Sequence, residues 1–86
     1  MSNGEEEQEV PHETARRVLQ AAAVEAFGRP GVYVTRESVM GRAAMADLSL
    51  FVRIAEYLEE QGWINEADAD YGMFTVTVEG LGEAMR

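Results

Sequence analysis

Few residues in this chain combine the type and spacing that chemistry needs. Asp68, Asp70 and Glu79 fall at positions 1, 3 and 12 of a calcium-loop count, where carboxylate oxygens would surround a hard cation. The count fails at its sixth position, which needs the sharp turn of a glycine and holds Met73, with Gly72 one place early. A solvated acidic loop is the expectation. Gly80-Leu81-Gly82 follows an alternating apolar stretch, as the start of a dinucleotide fingerprint would. Met85 stands where the third glycine belongs and no βαβ unit follows, so a turn or cap is expected there.

His12 is the only histidine, and it has no cysteine or second histidine to join it at a metal. It stands beside Pro11 in what reads as the first turn of a helix, an exposed place and a poor one for a general base. Glu59 and Glu60 are adjacent, so on a helix their carboxylates diverge and cannot work as an acid/base pair. The absence of cysteine excludes thiol redox chemistry and cysteine-ligated zinc. No catalytic residue, metal or cofactor is expected, and the chain reads as non-enzymatic.

Charge narrows the partners. The chain of 86 residues has 16 acids, 7 bases and a net charge of −9. Four of the acids are Glu5, Glu6, Glu7 and Glu9; without them 16 − 4 = 12 acids still face 7 bases, a net −5. All the bases are arginine. Such a surface repels phosphate at long range and suits a basic partner or plain solubility better. No apolar run approaches the roughly 20 residues of a membrane span, and no basic segment leads into an apolar one at the start. A cytoplasmic protein that does not enter the membrane is expected.

Periodicity locates the elements. Residues 1–10 are polar and acidic and predict a disordered tail, leaving residues 11–86 as one domain. Ala15, Val18, Leu19, Ala22 and Ala26 form one helical stripe, from about Pro11 to Phe27, which Gly28 and Pro30 bring to an end. Residues 31–34 are too short for a helix and rich in β-formers, so they predict a short strand. Thr35 is placed to cap a helix over about Arg36–Arg42 that carries Val39 and Met40 inward. Asp47 is placed to cap a third, with Phe51, Ile54, Ala55 and Leu58 on one face, Leu48 at its edge, and Gly62 as its stop. Trp63 and Ile64 begin a strand, a polar loop follows, and Phe74, Val76 and Val78 alternate with Thr75 and Thr77 as a half-buried strand. Residues 80–86 add a last helical turn or fray. Trp63 is expected to pack on Phe74 or Tyr33, and Tyr71 to stand exposed at the loop tip.

Tyr57-Leu58-Glu59-Glu60-Gln61-Gly62-Trp63-Ile64 closing the third helix, and Phe74-Thr75-Val76-Thr77-Val78-Glu79-Gly80 on the return strand, resemble the winged helix-turn-helix superfamily. The resemblance spans roughly residues 11–86. It implies a small α+β fold of three helices, a short strand and a C-terminal two-stranded wing.

It also implies double-stranded DNA as a partner and a role in transcription regulation, with a homodimer able to engage two half-sites. Carried over by position, Arg53 would read a base edge, Ser49 would assist it, and Arg36 and Arg42 would meet phosphates. The implied wing, however, holds Glu66, Asp68 and Asp70 and no base, which opposes phosphate. The alternative is an acidic protein-interaction module that does not bind DNA. It would use Leu50, Val52, Tyr57 and Tyr71, since winged helices also serve as interaction modules. The bland reading of the first three is that they pack as the margin of the core. A third expectation is an acidic surface that mimics DNA.

Overall fold

The computed structural model describes residues 10–68 and 71–86. The expected acidic tail, apart from Val10, and Asp70 of the expected wing lie outside the described residues. Helix α1 (His12–Glu25) opens with Pro11 in an extended conformation and no side-chain cap. Its stripe of Ala15, Val18, Leu19, Ala22 and, just beyond the helix, Ala26 is buried as the spacing predicts. Strand β1 (Val34–Thr35) is shorter than expected and lies at the end of the predicted segment, with Tyr33 exposed before it.

Two helices follow with their caps in place. In α2 (Arg36–Arg42) the Ser38 amide donates to the Thr35 hydroxyl at 3.2 Å. In α3 (Leu48–Glu60) the Leu50 amide donates to the Asp47 carboxylate at 3.1 Å. Each bond satisfies one of the amides that a helix start leaves without a partner. Val39 is fully buried in α2, and Phe51, Ile54, Ala55 and Leu58 are buried in α3. Gly62, at φ +81, takes the left-handed turn that ends α3, donating its amide to the Glu59 carbonyl at 2.9 Å.

Strands β2 (Ile64–Glu66) and β3 (Met73–Val76) complete a three-stranded antiparallel sheet in the order β1-β3-β2. Val34 lies opposite Phe74, and Ile64 opposite Val76. That register aligns the buried side chains of all three strands on one face, which closes over the helices. Phe74 meets Phe51 of α3 with ring centres 6.1 Å apart. Full burial of side chains such as Phe51, Phe74, Leu19, Ile54, Leu58 and Ile64 contributes about 1.5–3 kcal/mol each, the main favourable contribution to folding.

The fold is therefore α+β, but the described residues form four α-helices rather than three. The strand expected to run to Val78 stops at Val76, and Val78, 68% exposed, begins α4 (Val78–Ala84). Thr77 is the cause. Its hydroxyl accepts from the Gly80 amide at 2.9 Å and donates to the Gly62 carbonyl at 2.6 Å. Capping the helix and tying it to the end of α3 outweighs the β preference of one more valine. Gly80 then lies so close to the Trp63 carbonyl that a Cβ there would collide with it.

Two aromatic placements differ from expectation. Trp63 packs edge-on against Tyr57 at 6.2 Å and makes no ring contact with Phe74 or Tyr33. Tyr71, expected exposed, is buried. Its hydroxyl hydrogen-bonds the Glu59 carboxylate, and its amide donates to Glu66 at 3.2 Å. Tyr71 is thereby joined to the end of α3, where it buries its ring and still satisfies its hydroxyl.

Candidate interaction surface

The residues expected to meet DNA are divided by their electrostatic surroundings. The Arg42 guanidinium donates to Glu25 at 2.6 Å, joining α2 to the end of α1. Arg36 donates to Glu37 at 3.2 Å. The Glu37 carboxyl is held below the usual range, first by a backbone amide at the helix start and then by Arg36. Exposed ion pairs contribute little to stability, so a phosphate is able to displace either carboxylate. The displaced carboxylate would still stand beside the phosphate and repel it. Ser49 is exposed near the start of α3, and Arg53 is half-buried one turn further on. Arg53 shares a hollow of about 370 Å³ with Val10, Tyr57, Glu56 and Glu60, so two carboxylates stand near the one arginine expected to read a base.

The protein-contact candidates also separate. Leu50, Val52 and Tyr57 are half-buried and pack against the core, as apolar margins do. Tyr71 is excluded as an exposed contact because its ring is buried. Its hydroxyl is pushed above the ordinary tyrosine range by burial, then by the Glu59 hydrogen bond and the charges of Glu59, Glu66 and Glu56.

Tyr57 instead takes part in an aromatic arrangement not foreseen from the sequence. His12, in the first turn of α1, stacks on Tyr57 at 5.9 Å and 23° between planes. Trp63 meets the same ring nearly at right angles, at 84°. The three rings line a groove of about 270 Å³ floored by Leu19 and Leu58, with Glu13 and Glu83 among its charged residues. Arg16 also lines it, but its guanidinium bonds to the Arg86 carbonyl and stands 3.8 Å from Glu83. Gln20 donates to the Ala84 carbonyl at 3.2 Å, so α4 is fastened along α1 and forms one wall of the groove. His12 and Tyr57 are 45 positions apart, and no periodic signal links them. The nearest clue is that both belong to the ends of helices whose buried faces must meet.

Among the described residues, no group of three or more His, Asp or Glu side chains is placed to hold a metal ion. Glu79, the last position of the calcium count, lies in the first turn of α4. No helix among the described residues is long and apolar enough to cross a membrane. No protein-family model, curated protein or solved structure matches this chain.

Proposed function

We propose that this domain is a non-enzymatic winged helix-turn-helix module that works by binding a protein partner. The fold assignment is supported by the element order, in which α1, β1, α2, α3, β2 and β3 precede the added α4, and by the strand order β1-β3-β2. In this reading the segment between β2 and β3 corresponds to the wing. The observation that carries the functional reading is the contrast along α3. Its outward side and the neighbouring α2 present arginines accompanied by carboxylates, while its C-terminal end presents an aromatic groove. With a net −5 over residues 10–86, the domain's charge opposes a duplex and favours a basic protein surface.

A DNA-binding, transcription-regulator-like role is the second reading. It is favoured by the two capped helices joined by a short turn and by Arg53 on the second of them. Fluorescence anisotropy of a labelled mixed-sequence duplex separates the two. The expected result is no binding at about 50 mM salt. Binding that weakens steeply by about 200 mM salt and disappears in Arg53→Glu would transfer the assignment to DNA. Affinity capture from a lysate supplies the other arm. A partner retained by the native chain and lost by Tyr57→Ala is expected, and recovery of nothing under either condition would sink the protein-binding reading.

A further inference from the structure

Resting on the protein-binding reading, we infer that the groove between α1 and the end of α3 receives an arginine side chain from a basic segment of the partner. Three observations determine the occupant. The lining is aromatic, with Tyr57 in contact with both His12 and Trp63, and aromatic faces attract cations through their ring quadrupole. The charged residues of the groove are Glu13, Glu83 and Arg16; Glu83 is shared between Arg16 at 3.8 Å and Arg86 at 3.4 Å, which leaves the exposed carboxylate of Glu13 to meet a guanidinium. At about 270 Å³ it has room for one long side chain with its adjoining backbone.

A planar guanidinium fits this lining better than an ammonium does. It is more weakly hydrated, it stacks flat on a ring, and its edge donors remain free for a carboxylate. A segment rather than a free small cation is indicated by the second hollow. That hollow shares Tyr57 and is lined by Glu56, Glu60 and Arg53, two acids to one base, so a chain seated at the rings meets a net negative charge ahead of it.

The sole tryptophan is Trp63, so its emission reports directly on the groove. The probe is a capped peptide of alternating glycine and arginine, compared with the same peptide in which citrulline replaces arginine, at about 50 mM salt. The arginine peptide is expected to change Trp63 emission saturably, and the citrulline peptide is not. Tyr57→Ala should weaken binding by roughly 10-fold, within the range of a partly desolvated cation–π contact. Glu13→Gln, at an exposed position, should weaken it by about 2- to 3-fold, and Tyr57→Phe should retain it. Equal binding of the citrulline peptide overturns the inference, as does absence of binding by the arginine peptide. Undiminished binding by both Tyr57→Ala and Glu13→Gln overturns it too, because the peptide would then be held by diffuse charge elsewhere. If a lysate partner is still lost on Tyr57→Ala while the arginine peptide fails, the inference alone falls and the protein-binding reading stands.

Discussion

At its N-terminal end α3 is held by a bond spanning three residues, from the Leu50 amide to Asp47. At its C-terminal end it is held by residues far along the chain. Tyr71 reaches Glu59 from 12 positions away, and Thr77 reaches the Gly62 carbonyl from 15. Gly80 lies against Trp63, and His12, from α1, stacks on Tyr57. The first end is a local device that any helix with this sequence would carry. The second exists only when four separate segments have assembled. The aromatic groove lies at the second end, so the surface proposed to bind a partner is also the one most dependent on the whole fold.

The largest test of that contrast is Gly80→Ala. The added methyl has no space beside the Trp63 carbonyl, and backbone cannot yield as a flexible side chain does. A loss of about 3 kcal/mol or more is expected in urea denaturation, with α4 displaced from the sheet and Trp63 emission altered. A loss under about 1 kcal/mol would mean that α4 is not seated there.

Tyr71→Phe comes next. Removing the hydroxyl leaves Glu59 with solvent as an alternative partner, so the expected loss is about 1 kcal/mol, the net value of one hydrogen bond. The same variant has a pH signature. The Tyr71 proton is held more tightly in the folded state than in the unfolded chain, which releases it near pH 10. The contribution is therefore fully present below about pH 10 and declines as pH rises beyond it. Native protein should lose stability across that alkaline range more steeply than Tyr71→Phe, and matching slopes would remove Tyr71 from the account.

Asp47→Ala tests the local end. Loss of one helix cap costs about 1 kcal/mol and should leave Trp63 emission unchanged in the folded state, because the groove lies at the other end of α3. A spectral change would show that the two ends are coupled. Arg42→Gln is expected to have the smallest effect, about 0.5 kcal/mol or less by thermal melting, since its pair with Glu25 is half-exposed.

The readings that succeeded from sequence alone were those whose cause lies within a few residues. Thr35 and Asp47 cap the helices they precede, α2 spans Arg36–Arg42 as expected, and the stripe of Phe51, Ile54, Ala55 and Leu58 is buried. Val78 was misread because alternation and capping compete over the same few residues. The cap prevails through the Thr77 bond to Gly62, a partner that a sequence window around Thr77 does not contain. Of the proposed protein contacts, Tyr57 lies at the groove, whereas Tyr71 is buried, because exposure at a loop tip depends on what the loop folds against.

What the sequence determined by itself is the acidic charge, the absence of cysteine chemistry, the caps and the apolar faces of the helices. These are properties of residue type and of spacing over one or two turns. The start of α4 at Val78, the burial of Tyr71, the pairing of Arg42 with Glu25 and the meeting of His12, Tyr57 and Trp63 were decided only by the tertiary structure. Each joins residues separated by a dozen positions or more, or depends on a bond that does. Such contacts form only where the packing of the core brings their backbones together.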